Sequence, residues 1–144
     1  MPDLVIDASI AVMLMVPNAS ASSIDRSLLQ DADPLSNFLA PSIIATEVAA
    51  AITKLLRQRR ISVADANESF RNWREFLASD ILSLIPANMM LTASFDLSVR
   101  LHHPLHDCLY MALAHRQKAA LITADRALAE KARLLGLPTE FVDA

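Results

Sequence analysis

Near its amino terminus the chain reads Leu4-Val5-Ile6-Asp7-Ala8-Ser9-Ile10. The short β-branched run predicts a buried strand, and residues Ile10 to Val16 continue in a helical pattern. Pro17 follows and is expected to end that helix. A buried strand that leads directly into a helix is typical of α/β proteins, in which helices cover both faces of a parallel sheet.

The same alternation of strands and helices continues along the rest of the chain. Four more strands are predicted, at Phe38–Ala40, Ile81–Ile85, Ala119–Thr123 and Glu140–Val142. Further helices are predicted at Ile24–Gln30, Ile43–Arg59, from a Ser62 cap to about Leu77, and at Met89–Leu101, Leu105–Gln117 and Arg126–Leu135. The sequence therefore predicts the α/β fold class, with a central, mostly parallel sheet, in a single domain over residues 1–144.

Composition excludes several classes of function. With 53% hydrophobic and 20% charged residues, the 144-residue chain can bury a substantial core and does not have the profile of a disordered protein. A net charge of −3 means that a nucleic-acid substrate would need a local basic patch or a bridging cation. The only glycine is Gly136, so glycine-rich phosphate loops are absent and no nucleotide cofactor is expected.

The expected compartment is the cytoplasm. Cys108 is the only cysteine, which rules out an intrachain disulfide and agrees with a reducing environment. The first four residues include no basic residue of the kind that begins a secretory signal. The apolar run Ile10–Pro17 is less than half of the roughly 20 residues needed to span a bilayer, so no membrane association is expected.

Four acidic residues follow the predicted strands or begin the predicted helices. Asp7 comes directly after the first strand, and Asp125 lies two residues after the Ala119–Thr123 strand. Glu47 is placed in the second turn of the helix after the second strand, and Asp107 in the first turn of Leu105–Gln117. Because functional groups gather outside the carboxyl ends of parallel strands, we expect these acids to meet at one edge of the sheet.

Each acid also has a simpler explanation. Asp7, Asp107 and Asp125 lie at predicted helix starts, where aspartate is favoured as a cap. Glu47 is harder to explain, because no lysine or arginine lies within one turn and its helical neighbours are all apolar: Ile43, Ile44, Ala50 and Ala51. The alternative is a position at the edge of the helix from which Glu47 reaches water.

Four converging carboxylates would favour a divalent cation. Two carboxylates about 5 Å apart repel each other by about 3 kcal/mol at an effective dielectric constant of about 20. Oxygen ligands favour a hard ion, Mg²⁺ or Mn²⁺, over zinc. Such an ion polarises phosphate and generates hydroxide from bound water, so hydrolysis of a phosphodiester is the chemistry that fits.

Four segments together resemble the PIN-domain nucleases, and within them the VapC-type toxins of bacterial toxin–antitoxin pairs. The segments are VIDASIA at residues 5–11, ATEVA at 45–49, HDCLYMALA at 106–114 and LITADRAL at 121–128. The resemblance runs from Leu4 to Val142. It implies a three-layer α/β/α sandwich and an endoribonuclease, dependent on Mg²⁺ or Mn²⁺, that leaves a 5′-phosphate and a 3′-hydroxyl.

The resemblance also implies roles for particular residues and partners. Asp7 and Asp107 would hold the metal most directly, and Glu47 and Asp125 would complete its shell and orient the attacking water. Two hydroxyl residues, Ser9 and Thr123, would support the acids by hydrogen bonding. The family commonly forms homodimers and is silenced by an antitoxin whose carboxy-terminal segment enters the acidic groove.

Other interpretations remain open at this point. A catalytically silent PIN-like scaffold that binds RNA or protein, or a housekeeping PIN nuclease, would have a similar sequence. A haloacid-dehalogenase-type phosphotransferase needs an aspartate where Ser9 stands, and a response-regulator receiver needs adjacent acids near its first strand, so neither is favoured.

Three further features have two interpretations each. The histidines of His102-His103-Pro104-Leu105-His106 could form a second metal site or transfer protons beside Asp107, but solvent-facing loop histidines are favoured. Arg57, Arg59 and Arg60 could bind RNA phosphates, but a solvated helix end is the favoured interpretation. Two apolar stripes could form a dimer surface, with core packing as the default: Ile10, Met13 and Leu14, and Phe70, Trp73 and Leu77.

Overall fold

The structure, a computed structural model, describes residues 3–16 and 37–143. Five strands form one sheet in the order β3-β2-β1-β4-β5, and every pairing between them is parallel. The predicted α/β class is confirmed, and the sheet is parallel throughout its described strands. The strands are β1 (Asp3–Ile6), β2 (Asn37–Pro41), β3 (Leu82–Ile85), β4 (Ala120–Thr123) and β5 (Thr139–Phe141).

Six α-helices lie in the described ranges, and all six were predicted from the sequence. They are α1 (Ala8–Met15), α2 (Ile44–Arg57), α3 (Val63–Ala78), α4 (Leu91–Leu101), α5 (Leu105–Gln117) and α6 (Arg126–Leu134). Ser62 caps α3 as predicted, since its side chain accepts a hydrogen bond from the Asp65 amide. The predicted helix Met89–Leu101 is in fact a 3-10 turn, Ala87–Met90, followed by α4. The predicted helix Ile24–Gln30 lies outside the described residues.

The helices cover the sheet in two layers. Helix α5 packs on β1, β2 and β4 and is itself packed against α4, while α1, α2 and α3 pack against one another. The middle of α5 is buried from Cys108 to Ala114, which explains why its sequence has no polar face between these residues. The fold is therefore the three-layer α/β/α sandwich that the family resemblance implied.

The strand order places the loops after β1 and β4 next to each other. From β1 the chain moves to β2 and β3 on one side of the sheet, and later returns to β4 and β5 on the other side. The order therefore reverses between β1 and β4, whose carboxyl ends are Ile6 and Thr123. Such a reversal leaves a crevice at the carboxyl edge of the sheet, where α/β proteins bind their ligands.

Most of the predicted apolar stripes are used in the core. Ile10, Met13 and Trp73 are buried, whereas Phe70 is exposed. Helix α4 differs, because the apolar stripe on its surface is open to solvent: Leu91, Phe95 and Val99 are 53%, 60% and 58% exposed. No described helix is both long enough and apolar enough to cross a lipid bilayer.

Candidate active site

Asp7 is buried at the carboxyl end of β1, with only 4% of its surface exposed. Its Oδ1 accepts hydrogen bonds from the Ser9 hydroxyl at 2.5 Å and from the Ile10 amide at 3.2 Å. Its Oδ2 accepts a hydrogen bond from the Thr123 hydroxyl. Asp7 therefore caps α1, as the simpler interpretation predicted, and is also held from the neighbouring strand β4.

Ser9 and Thr123 join the loops that follow β1 and β4. The Ala124 amide donates to the Ser9 hydroxyl oxygen at 2.9 Å, and the Asp125 amide donates to the Thr123 hydroxyl oxygen at the same distance. Each hydroxyl thus accepts from the β4 loop and donates to Asp7. This network fixes the backbone of Asp125 relative to the side chain of Asp7, although 118 positions separate them in the sequence.

Burial makes Asp7 difficult to ionise. Desolvation raises the pKa of Asp7 from 3.8 to about 6, even though the hydrogen bonds from Ser9, Thr123 and the Ile10 amide oppose the rise. The negative charge of Asp125 raises it further. A carboxylate held by three donors normally has a lowered pKa, so the desolvation here outweighs a favourable hydrogen-bonding environment.

Asp125 caps α6 and is close enough to two other acids to affect their ionisation. Its Oδ1 accepts a hydrogen bond from the Leu128 amide at 3.2 Å, and its side chain is partly exposed. The charge of Asp125 raises the pKa of both Asp7 and Asp107. The cap and the electrostatic coupling are both present, so the helix-capping explanation does not exclude a functional one.

Asp107 lies in the first turn of α5, where no side chain caps the helix. Desolvation raises the pKa of Asp107, the charge of Asp125 adds to the rise, and His103 and His106 oppose it. The His103 Nε2 lies 2.8 Å from Asp107 Oδ2. The prediction of solvent-facing histidines is therefore wrong for His103, which is 9% exposed, but right for His102 and His106.

Glu47 has a partner that the sequence did not reveal. It lies in the first turn of α2, not in the second turn as predicted, because the helix begins at Ile44. Its Oε1 accepts a hydrogen bond of 2.5 Å from the hydroxyl of Tyr110, which is 1% exposed. A partner 63 positions away in the sequence leaves no trace among the helical neighbours of Glu47.

A signal for Tyr110 was nevertheless present in the sequence. Tyr110 follows Asp107 by three residues in α5, so the two side chains lie on neighbouring positions of one helix face. Burial raises the pKa of Tyr110 far above its usual range. The hydrogen bond that its hydroxyl donates to Glu47, and the charges of Glu47, Asp7 and Asp107, act in the same direction. The Tyr110 hydroxyl therefore lies within the electrostatic influence of three of the four acids.

The four acids are thus gathered at one edge of the sheet without forming a closed cluster. The electrostatic links run from Asp125 to Asp7 and Asp107, and from Tyr110 to Glu47, Asp7 and Asp107. In the part of the chain that the structure describes, no three acidic, histidine or cysteine side chains stand close enough to form a ready-made metal site. The arrangement is a set of acidic side chains that influence one another at the carboxyl edge of the sheet.

Cys108 and the three arginines near the end of α2 have the environments of an inert thiol and of solvated cations. Cys108 is fully buried, and desolvation together with the charge of Asp107 raises the pKa of its thiol, which disfavours the reactive thiolate. Arg57 is exposed in the last turn of α2, at the opposite end of the helix from Glu47. Arg59 and Arg60 are exposed just beyond that helix end.

The fold and the site define an α/β protein with an acidic crevice where the strand order reverses. The PIN domain family model matches residues 4–134, which is most of the chain. The chain therefore belongs to the PIN domain family. No functionally curated protein matches its sequence significantly.

Solved structures share the fold at low sequence identity. VapBC2 from Rickettsia felis, bound to a DNA fragment from its promoter, is similar with a TM-score of 0.69 and 17% identity over 98% of this chain and 99% of that one. A Pyrobaculum aerophilum protein gives 0.64 and 17% identity over 90% and 84%. FitAcB from Neisseria gonorrhoeae gives 0.59 and 11% identity over 96% of each chain. At these identities the likeness concerns the fold.

Proposed function

We propose that this PIN domain is an endoribonuclease that depends on a divalent cation. The observation that carries the proposal is Asp7, a carboxylate buried where the strand order reverses, whose pKa rises to about 6. A fold that needed Asp7 only as a cap for α1 would be served by the serine or asparagine that helices equally favour there. A cation beside Asp7 would offset both the desolvation and the repulsion from Asp125.

Asp7 and Asp107 would hold the cation most directly, with Glu47 and Asp125 completing its surroundings. The donor set consists of carboxylate oxygens, which suits Mg²⁺ or Mn²⁺. Because no three described side chains already stand together, part of the contact would run through water, which Mg²⁺ commonly retains. When bound, the cation supplies Lewis acidity toward the phosphate and lowers the pKa of its water.

The chain's own groups would fix the position of the reacting partners. Ser9 and Thr123 keep the Asp7 carboxylate in one orientation from two sides. Glu47 and Asp125, which are less buried than Asp7, would orient the attacking water and accept its proton. Cleavage would leave a 5′-phosphate and a 3′-hydroxyl, in keeping with attack by water on phosphorus.

We also infer that the protein acts as the toxin of a toxin–antitoxin pair. The support is the VapC-like sequence pattern and the shared fold with VapBC2 and FitAcB. A cationic side chain from an antitoxin would be attracted to the acidic crevice by the same charges that attract a metal ion. The cytoplasm is the compartment in which such a pair would act.

We also infer that the protein forms a homodimer. On α4, Leu91, Phe95 and Val99 form an exposed apolar stripe. Phe95 and Val99 also line a groove of about 1140 Å³, together with Met89 and Leu135. An apolar stripe of this kind on a helix surface is unusual for a monomer in water. A second copy that buries it would stabilise both chains.

RNA cleavage in vitro tests the enzymatic part of the proposal. Purified protein is incubated with a long RNA and Mn²⁺, and the 5′ ends of the products are mapped. We expect cleavage that EDTA abolishes and that Asp7→Asn lowers more than about 100-fold. Asp80→Asn removes the same charge from an exposed position beyond α3 and serves as the control. Equal cleavage by wild type and Asp7→Asn would contradict the metal mechanism.

Two alternatives to a toxin nuclease predict different results in these experiments. A catalytically silent PIN-like scaffold would bind RNA or protein without cutting and would show no thermal stabilisation by Mn²⁺. A housekeeping PIN nuclease would cut RNA but would not be countered by a partner. Induced expression with and without the neighbouring open reading frame separates this case, because growth arrest relieved by that neighbour is expected only of a toxin.

A further inference from the structure

Tyr110 joins two helices at the acidic crevice. It lies on α5, one turn after Asp107, and its hydroxyl donates to Glu47 Oε1 on α2 at 2.5 Å. The phenol ring is buried, whereas the Glu47 side chain is only partly buried. The contact therefore runs from a fixed donor in the core to an acid at the border of the crevice.

The surroundings of Tyr110 keep its hydroxyl a donor. The Tyr110 hydroxyl is the donor of this pair, because a phenol keeps its proton at neutral pH and its partner is a carboxylate oxygen, which accepts. A hydroxyl that donates to a carboxylate forms a stronger hydrogen bond than one that donates to a neutral acceptor. The same hydroxyl also lies within the influence of Asp7 and Asp107.

The other three acids are each fixed by a different contact. Asp7 is held by Ser9 and Thr123, Asp125 by the Leu128 amide, and Asp107 by His103. Glu47 has a longer side chain than any aspartate, and ordering it costs more conformational entropy. Among the described residues, Tyr110 is the side chain that holds the Glu47 carboxylate.

We propose that Tyr110 is a positioning residue that holds Glu47 toward Asp7 and Asp107, so that the carboxylates can share one divalent cation. The inference rests on the proposed function, because it assigns Tyr110 a task only if the crevice binds a cation. Residues that support metal ligands through hydrogen bonds commonly determine metal affinity even though they do not touch the metal. Tyr110 would act only through Glu47.

Tyr110→Phe isolates this contact, because it removes the hydroxyl and keeps the buried ring. Mn²⁺ binding is measured by isothermal titration calorimetry and by the loss of the free-ion electron paramagnetic resonance signal. We expect the Kd for Mn²⁺ to rise about 10- to 100-fold. In RNA cleavage at saturating Mn²⁺, kcat falls while the KM for RNA changes little, because Glu47 would orient the water and not the substrate.

A double-mutant cycle with Glu47→Ala distinguishes positioning from a direct role. If Tyr110 acts through Glu47, the Kd of the double variant equals that of Glu47→Ala alone, because the hydroxyl has nothing left to hold. If the two single effects multiply in the double variant, Tyr110 does not act through Glu47 and the inference is overturned. An unchanged Kd in Tyr110→Phe overturns it as well.

A matched control separates positioning from general loss of stability. Ser94→Ala also removes one buried hydroxyl, which lies on α4 and donates to the Met90 carbonyl in the preceding 3-10 turn at 2.6 Å. This variant should lower the melting temperature in EDTA and leave the Kd for Mn²⁺ unchanged. A weaker Kd in Ser94→Ala, matching that in Tyr110→Phe, would assign the effect to stability and overturn the inference.

The two proposals fail in different ways. Absence of Mn²⁺ binding by the wild-type protein removes the proposed function, and the assignment of Tyr110 with it. If the wild-type protein binds Mn²⁺ and cleaves RNA, but the effects of Tyr110→Phe and Glu47→Ala on the Kd for Mn²⁺ are independent, only the assignment of Tyr110 is removed.

Discussion

Asp7→Asn tests the electrostatic account of the site, because it removes the charge of the most buried acid and keeps its shape. Burial raises the pKa of Asp7 from 3.8 to about 6, so the carboxylate is harder to ionise in the folded protein than in the unfolded chain. The folded protein therefore binds this proton more tightly. As the pH rises through this interval, metal-free protein loses stability, and the loss is complete above about pH 6.

The magnitude follows from the rise in pKa. A change of one in pKa corresponds to about 1.4 kcal/mol, so the rise from 3.8 to about 6 costs roughly 3 kcal/mol at pH 7.5. At pH 4.5 Asp7 is largely protonated in the folded protein but largely ionised in the unfolded chain. The free energy of unfolding is then lowered by only about 1 kcal/mol. In EDTA we therefore expect Asp7→Asn to raise the free energy of unfolding by up to about 3 kcal/mol at pH 7.5 and up to about 1 kcal/mol at pH 4.5.

Urea denaturation in EDTA at the two pH values measures the effect. Wild type and Asp7→Asn are compared with Asp80→Asn, the exposed control, which should change the free energy of unfolding little at either pH. With Mn²⁺ at 100 times its Kd, wild type should gain about 2.7 kcal/mol, and Asp7→Asn should not. A metal-free Asp7→Asn that is less stable than wild type at both pH values would show that the buried Asp7 carboxylate does not destabilise the fold.

Further variants test two contacts of the acids and the exposed face of α4. Thr123→Val removes a buried donor to Asp7 and should lower the free energy of unfolding by about 1–3 kcal/mol in urea titrations. Thr123→Ser keeps the hydroxyl and should retain most of the wild-type stability. His103→Ala removes an interaction that lowers the pKa of Asp107, so this acid should take up its proton at higher pH. The acid limb of the cleavage profile should then move to higher pH, and an unmoved limb would contradict the pairing. Phe95→Asp places a charge on the exposed face of α4 and should shift the protein to monomer in sedimentation velocity, and a variant that stays dimeric would exclude that face.

The fold could be predicted from the sequence because its central elements have strong local patterns. Strands β1 and β4 are short β-branched or aliphatic runs, and the predicted bounds of α5 match those observed. Asp7 and Asp125 could be placed at the carboxyl edge of the sheet because Asp7 follows β1 directly and Asp125 lies two residues after β4. Adjacent parallel strands then bring the two loops together.

The contacts that fix the acids could not be predicted in the same way. The hydrogen bond between Tyr110 and Glu47 joins residues 63 positions apart, and no periodic pattern encodes such a pairing. The burial of His103 depends on how the turn between α4 and α5 folds back, where Ser98 donates to the His103 carbonyl at 2.7 Å. Sequence patterns identify the acids, but tertiary packing determines which neighbours hold them.

The apolar stripe on α4 shows a second kind of information that the sequence pattern does not carry. An apolar stripe such as Leu91, Phe95 and Val99 predicts that one face of a helix is covered. It does not say whether the cover comes from the same chain or from another. In the described ranges this stripe is exposed while Ser94 and Leu97 face the core, so the pattern predicted the helix correctly and left its apolar surface unexplained.

Anomalous diffraction from crystals soaked in Mn²⁺ shows directly whether the acids bind a cation. We expect an anomalous peak where β1 and β4 end, beside Asp7 and Asp107, and no peak there in crystals of Asp7→Asn. A peak only elsewhere on the surface, or no peak beside these acids at Mn²⁺ concentrations that support RNA cleavage, would exclude the proposed metal site.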